Sequence, residues 1–201
     1  MPTPPRRLLS LPSESKREEA PPSRVPEAPR IYSQEPSYVV ATLGKCLIHI
    51  SVDRPTTTAV SLVRRALADL SECHEKFAYL SIFEPGVVLQ LSPDLRESIN
   101  AYVRRYTSRF SASAAVFEQG GFQATVVRSL VTAIHVASHA HHPSQVFDDL
   151  RGAVSWLCRL TPGESAPRLF EIASQLRREH PVSSRRTSAI PASQRLDKAQ
   201  R

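Results

Sequence analysis

Four histidines near residue 140 have the residue type and spacing for chemistry: His135, His139, His141 and His142. His135 and His139 are four residues apart in a predicted helix, a spacing that can place two imidazoles on one metal ion. No Cys or carboxylate lies between them to complete a ligand set or to act as the general base of an HExxH motif. The alternative is that these imidazoles solvate the C-terminal end of the helix, where positive charge suits the helix dipole.

A glycine pair, Gly120-Gly121, joins a predicted strand to a predicted helix that opens with Phe122. In open α/β sheets, ligands gather at the carboxyl ends of strands, and the free N–H groups of a helix N-terminus suit anions. Neither GxGxxG nor GxxxxGK[ST] is present, so the sequence predicts no nucleotide cradle. Two glycines equally suit a tight turn with close packing of the helix on the sheet.

The remaining nucleophiles give no catalytic pattern. No GxSxG elbow is present, and Cys46, Cys73 and Cys158 lie in apolar patterns rather than in cationic surroundings that lower a thiol pKa. We therefore predict no enzymatic activity, no catalytic residue and no cofactor. Three widely spaced cysteines without a CxxC motif are typical of a reducing compartment. With no run of the ~18 apolar residues that a membrane span needs, we expect a cytoplasmic protein.

Proline and charge divide the chain into three parts. Of the 17 prolines, nine lie in residues 1–36, four in 37–160 and four in 161–201. The net charge of +7 divides into +1, +2 and +4 over the same ranges, so the excess belongs mostly to the C-terminal part. We predict a disordered Pro-rich arm over 1–36, one folded domain over 37–160 and a basic tail over 161–201, with a short helix at 166–179. Because the net charge of the predicted domain is close to zero, we expect no sequence-specific nucleic-acid binding.

Periodicity in the middle of the chain indicates alternating strands and helices. β-type runs occur at Tyr38–Thr42, Cys46–Ile50, Phe77–Phe83, Ala112–Phe117 and Val146–Phe147, and helical spacing occurs at Thr56–His74, 92–110, 122–139 and from Asp148 or Asp149 to Leu160. The prediction is an α/β domain with a small mixed sheet of four to five strands and about four helices. The helix 122–139 is apolar on more than one face, which indicates either burial between neighbours or a partner-binding patch.

The element order β-β-α-β-α-β-α-β-α over residues 38–160 resembles the STAS fold of sulphate transporters and anti-sigma factor antagonists. The likeness is carried by the strand Phe77–Phe83, the helix start Ser92-Pro93-Asp94-Leu95-Arg96 and the run Ala115–Phe122. More narrowly, the middle of the chain resembles short STAS-like domains of myxobacterial and other proteobacterial proteins. The excess of Arg over Lys agrees with a GC-rich bacterial genome. The resemblance implies that Ser92, at the position where antagonists are phosphorylated, is a candidate phosphosite. The antagonists usually carry an acidic-Ser-Ser/Thr-Gly pattern at this position, whereas this sequence has Leu-Ser-Pro-Asp. The alternative interpretation of Ser92 is a plain helix cap.

Three functional hypotheses follow. The first is a non-enzymatic, STAS-like regulatory module that contacts a protein partner, or a second copy of itself, through the 92–110 and 122–139 side of the sheet. The second is a small-ligand or anion-binding domain at the strand ends. The third is a metal-dependent enzyme that uses the His135–His142 cluster. Candidate ligand or partner residues for the first two are Gly86, Arg96, Gly120, Gly121 and Phe122.

Overall fold

The structure is a computed structural model that describes residues 28–87, 90–118, 122–137 and 141–179. Within these ranges the chain forms six strands and five helices. In chain order they are β1 (Arg30–Glu35), β2 (Tyr38–Leu43), β3 (Cys46–Ser51), α1 (Thr57–Cys73), β4 (Phe77–Phe83), α2 (Pro93–Tyr106), β5 (Phe110–Phe117), α3 (Phe122–Ala137), β6 (Ser144–Phe147), α4 (Leu150–Leu160) and α5 (Ala166–Glu179).

The strands form one sheet in the order β1-β2-β3-β4-β5-β6. The pairs β1–β2 and β2–β3 are antiparallel, and the three pairings from β3 to β6 are parallel. Each parallel pairing is connected by a helix, as a parallel crossover requires. The β2–β3 hairpin turns at Gly44, whose φ of 47° lies in the left-handed region that glycine adopts most easily.

Side-chain oxygens cap helices α1, α2 and α4, and Ser165 accepts from the Arg168 N–H at the start of α5. Thr56 accepts a hydrogen bond from the Ala59 backbone N–H at the start of α1, and Ser92 accepts one from Leu95 at the start of α2. Asp149 accepts one from Gly152 at the start of α4. Each cap satisfies an N–H group that would otherwise lack a partner in the first turn of the helix, and so fixes where the helix begins.

The sheet buries a core on each face. One face packs against α4 and α5 through wholly apolar strand residues such as Ile48, Leu80 and Val116. The other face packs against α1, α2 and the half-buried Ile134 of α3, through residues such as Leu47 and Phe77. The two faces differ in chemistry, because only the second carries buried polar side chains near its middle.

The fold class predicted from the sequence is confirmed, with a mixed sheet in an α/β arrangement. The strand count is higher than the predicted four to five, because Arg30–Glu35 forms β1 inside the segment predicted to be a disordered arm. Its side chains are mostly exposed, so the strand has no clear apolar alternation, and backbone pairing with β2 is supplemented by a hydrogen bond from the Tyr32 hydroxyl to Asp69 of α1.

Two further segments differ from the predicted boundaries. The helix considered at 166–179 forms as α5 and buries Leu169, Ala173 and Leu176 against the sheet, so it belongs to the folded core rather than to a tail. Helix α2 ends at Tyr106, and Phe110, which was predicted to lie on its apolar face, is the first residue of β5.

Candidate functional site

A cavity of about 140 Å³ lies between the sheet and helices α1, α2 and α3. Its apolar lining includes Ala59 and Val63 of α1 and Val103 of α2. Leu130, Val131 and Ile134 of α3 also line it. All three α3 side chains are only half-buried, so this helix forms the less tightly packed wall of the cavity.

Polar side chains on the floor of the cavity come from neighbouring strands in register. Tyr79 of β4 lies opposite Ser113 of β5, which lies opposite Ser144 of β6. Two residues beyond Tyr79 in β4, Ser81 lies opposite His49 of β3. Because alternate residues of a strand share a face, all five lie on the face of the sheet that α1, α2 and α3 cover. All five line the cavity.

His49 is the one imidazole among these five polar side chains. It is 9% exposed, and its Nδ1 lies 3.3 Å from the hydroxyl oxygen of Tyr79. Burial lowers the pKa of His49 to about 4, so the imidazole is neutral at physiological pH. Among the residues that the structure describes, Nε2 of His49 has no hydrogen-bond partner.

Tyr79 and Tyr102 are two buried hydroxyls in the lining of the cavity. Burial raises the pKa of Tyr79, and hydrogen bonds with Ser81 and Tyr102 oppose that rise. The pKa of Tyr102 is raised by burial first and then by the charge of Tyr79 and their hydrogen bond. Both tyrosines are therefore protonated at neutral pH, and the tautomer of the imidazole decides which group donates in the contact between Tyr79 and Nδ1 of His49.

A second polar group, around Ser113, occupies the β6 side of the cavity. The Ser113 hydroxyl donates to Oγ of Ser144 at 3.0 Å and lies 3.1 Å from Nε2 of His142. Because the Ser113 proton is directed to Ser144, His142 is placed to donate to Ser113 rather than to accept from it. The His142 ring also packs on Phe110, with 4.8 Å between the ring centroids.

Charge is absent from the described lining of this cavity, which contains no Asp, Glu, Lys or Arg. Burying an ionised ligand group without an opposite charge is costly. The cavity therefore suits an uncharged molecule with a large apolar part, and its few polar groups can fix the orientation of that molecule.

Of the predicted site residues, His142 lines this cavity, whereas Ser92, Gly86 and Arg96 lie outside it. Ser92 is exposed at the start of α2, where its hydroxyl oxygen accepts from the Leu95 N–H at 3.3 Å. Gly86 is exposed after β4 with a φ of 90°, a conformation that glycine adopts readily. Arg96 is exposed on α2. The structure therefore does not gather these three residues into one pocket.

Other predicted residues fall partly or wholly outside the described residues. Gly120, Gly121 and His139 are not described, and for Phe122 and His135 only the backbone in α3 is. His141 is exposed, and its backbone N–H donates to Thr107. Within the described ranges, no three His, Cys, Asp or Glu side chains come together as a metal-binding group.

An ionic cluster at the carboxyl ends of β4 and β5 was not predicted from the sequence. Arg177 of α5 binds Glu84, which follows β4, and Glu118, which follows β5. Hydrogen bonds from Arg177 lower the pKa of Glu118, and the same contacts raise the pKa of Arg177. The cluster ties α5 to the two strand ends that lead into α2 and α3.

Two of the thiols, those of Cys46 and Cys158, lie in surroundings that disfavour the thiolate. Burial raises the pKa of Cys46 and of Cys158, so neither is a thiolate at neutral pH. No helix in the described part of the chain is long and apolar enough to cross a membrane.

Comparisons with known proteins bear on the fold. The element order from β2 to α4 and its strand pairing are those that the STAS resemblance implies. Structure comparison finds a likeness to an uncharacterized protein of the DUF3478 family with a SpoIIAA-like fold from Shewanella loihica. The likeness has 16% sequence identity and a TM-score of 0.43, and it covers 66% of this chain and 97% of that chain. No protein-family model and no curated protein matches the sequence.

The sequence did contain a signal for the cavity. Strands β3, β4 and β5 are covered on both faces, and such strands are ordinarily apolar throughout. His49, Tyr79, Ser81 and Ser113 interrupt that pattern at positions that face the same side. The cavity-lining polar residues that sequence reasoning missed therefore lie within strands, whereas the predicted site residues lie in loops and near helix ends.

Proposed function

We propose that this chain is a non-enzymatic, STAS-like regulatory module that binds a small, largely apolar molecule in the cavity between the sheet and α1–α3. The observation that carries the proposal is the cavity of about 140 Å³ with a charge-free lining and a polar floor. For comparison, an engineered apolar cavity of about 150 Å³ in another protein binds benzene. A ligand with roughly six to nine non-hydrogen atoms is the matching size class.

A packing defect is the alternative explanation, and the polar floor argues against it. Empty space in a core costs stability, because the surrounding atoms lose contacts. Buried polar groups beside such a space add a further cost unless they are hydrogen-bonded. A domain that needs only to fold has no use for His49, Tyr79 and Ser113 at this place, whereas a binding site uses such groups for specificity.

Helix α3 supports a regulatory output through protein contact. Leu130, Val131 and Ile134 line the cavity, whereas Val126 and Val136 of the same helix are 40% and 70% exposed. A ligand that fills the cavity would therefore act on a helix that also carries apolar side chains to the surface. The partner surface in this proposal is the α2–α3 side, which also includes Arg96 and Phe122.

The geometry of the polar groups favours binding over catalysis. Ser113 and His142 are close enough for a nucleophile and its base, but the Ser113 proton is directed to Ser144.

A thermal-shift titration with toluene tests the binding function. Toluene should raise the melting temperature of the wild type by about 2–5 °C, since a ligand that binds only the folded state stabilises it. Ala115→Leu places a larger side chain in the cavity and should abolish the rise, whereas Ala101→Leu on the exposed side of α2 should retain it. The absence of any rise in the wild type would overturn the proposed function.

A second copy of the chain is the first partner to test for the α2–α3 side. Sedimentation velocity with and without toluene should show dimers whose fraction changes on ligand addition. Val136→Lys should abolish dimers, because an exposed apolar contact is replaced by a charge. A wild type that is monomeric in both conditions would exclude self-association as the output.

A further inference from the structure

The imidazole of His49 lines the cavity with one ring nitrogen paired and the other unpaired. Nδ1 lies 3.3 Å from the Tyr79 hydroxyl oxygen, whereas Nε2 has no hydrogen-bond partner among the residues that the structure describes. The side chain is more than nine-tenths buried, and a buried polar atom without a partner costs free energy. If the cavity binds a ligand, as proposed above, a ligand that supplies a partner for Nε2 gains affinity.

The contact with Tyr79 is compatible with either tautomer of a neutral His49. The tyrosine hydroxyl can donate to Nδ1, which leaves the ring proton on Nε2, or accept from Nδ1–H, which leaves Nε2 as an acceptor. A hydroxyl group on the ligand pairs with Nε2 in both cases, because its oxygen accepts and its O–H donates. An oxygen that only accepts pairs with one tautomer, and its affinity is reduced by the fraction of the ring in the other.

Other groups that both donate and accept suit this cavity less well than a hydroxyl. An amine or a carboxylic acid is ionised in water at neutral pH, and the described lining has no Asp, Glu, Lys or Arg to compensate a charge. A primary amide is neutral, but it buries two N–H bonds and a carbonyl oxygen that each need a partner. A hydroxyl brings one donor and one oxygen, which is the smallest polar demand on a mostly apolar lining.

Water is the competing partner for Nε2. A water molecule donates and accepts as a hydroxyl does, but it makes no use of the apolar side chains around it, such as Val63, Val103 and Val131. A phenol or an alcohol places an oxygen at the same point and fills the remaining volume with carbon atoms. It therefore gains the hydrogen bond and the apolar contacts together.

We infer that the ligand is an uncharged hydroxyl compound, a phenol or an alcohol, whose O–H group hydrogen-bonds with Nε2 of His49 while its hydrocarbon part fills the space between the sheet and α3. Phenol itself, with one ring and one oxygen, matches the cavity of about 140 Å³. On the β6 side, the Ser113 proton is directed to Ser144, so the ligand hydroxyl is assigned to the His49 end of the floor.

Phenol and toluene test the assignment, because they share a shape and differ only in O–H against CH₃. Calorimetric titration of the wild type should detect binding of both. His49→Leu should weaken phenol about tenfold, the equivalent of one lost hydrogen bond, and should change the affinity for toluene less than about twofold. His141→Leu, which alters an exposed imidazole, is the matched control and should change neither.

Anisole separates a hydroxyl from an oxygen that only accepts. Its ether oxygen carries no proton, so it pairs with Nε2 only when that nitrogen is protonated. The loss of affinity in His49→Leu should therefore be smaller for anisole than for phenol. An equal loss for the two compounds would show that the site requires an acceptor alone, and would overturn the hydroxyl assignment.

Nitrogen-15 NMR of the His49 ring supplies a measurement on the wild type, which decides the matter if His49→Leu does not fold. Phenol should shift the Nε2 resonance, and toluene should not. Tyr79→Phe removes the partner of Nδ1 and should leave the response of Nε2 to phenol in place, because a hydroxyl pairs with either tautomer. A loss of that response would place the phenol hydroxyl on Tyr79 and contradict its assignment to His49.

The outcomes separate the assignment from the proposed function. If neither phenol nor toluene binds the wild type, the proposed function fails and the assignment fails with it. If toluene binds and phenol does not, or if phenol binds and leaves the Nε2 resonance unchanged, the binding function stands and the hydroxyl assignment is overturned. The same holds if His49→Leu weakens phenol and toluene equally.

Discussion

Arg177 of α5 donates to both carboxylate oxygens of Glu84, with Nη2 3.0 Å from Oε2, and the same guanidinium donates to both oxygens of Glu118 at 2.8 Å. Glu84 is 6% exposed, so its carboxylate is largely removed from water and Arg177 supplies its hydrogen bonds. Bidentate pairing is the strongest geometry for an arginine and a carboxylate. The last helix of the domain is thereby joined to the ends of the two central strands.

Replacing Arg177 should destabilise the fold. Arg177→Met retains much of the side-chain volume but leaves the buried carboxylate of Glu84 without its partner, which should cost about 2–4 kcal/mol of unfolding free energy. Urea unfolding measures this loss, and Arg178→Met on the exposed side of the same helix is the control. Equal unfolding midpoints for the two variants would show that the cluster contributes nothing.

Acid should destabilise the protein in part through His49. Its pKa is lowered from 6.5 to about 4 in the folded state, so the unfolded chain binds the extra proton between these values. The free energy of unfolding should therefore fall by about 3 kcal/mol as pH drops from 6.5 to 4.

The contribution of His49 is isolated by comparison with a variant. His49→Gln should lack that part of the pH dependence, while His141→Gln should keep it, in urea unfolding at pH 4, 5, 6 and 7. Parallel pH curves for wild type and His49→Gln would contradict a neutral, buried imidazole.

Ser92 should matter as a helix cap. Ser92→Ala removes the acceptor of the Leu95 N–H and should cost about 1 kcal/mol in urea unfolding. Ser98→Ala within the same helix is the control, since alanine favours helix interiors. A loss no larger than that of the control would contradict the capping role.

The phosphosite that the STAS resemblance implies for Ser92 remains a prediction. Its hydroxyl is exposed at the positive end of the α2 dipole, a position that accommodates a phosphate. Mass spectrometry of the protein isolated from its own cells, with Ser92→Ala for comparison, would detect the modification. A phosphate on another serine, with none on Ser92, would contradict the implied site.

Local patterns in the sequence were enough for most of the secondary structure. The Ser92 cap and the apolar strand Phe77–Phe83 are each determined by neighbouring residues, and each was predicted. Strand β1 could not be predicted in this way, because it is held by pairing with β2 and by contacts of Arg30 and Tyr32 with Asp69 of α1, which lies far along the sequence.

The site depends on contacts between residues far apart in the sequence. Tyr79 meets His49 across 30 positions, and Ser113 meets His142 across 29. Such pairs arise only when the strands align in register, so periodicity within one segment does not reveal them. Arg177 and Glu84 lie 93 positions apart, which is why α5 was assigned to the tail.

Xenon binding in a crystal tests the central claim most directly, because it locates the cavity without depending on the chemistry of a ligand. Wild-type crystals pressurised with xenon should show an anomalous peak between the sheet and α3, near Tyr79, Ala115 and Val131. Crystals of Ala115→Leu should lack the peak. A wild type with no xenon there, and with α3 side chains filling the space, would contradict the account.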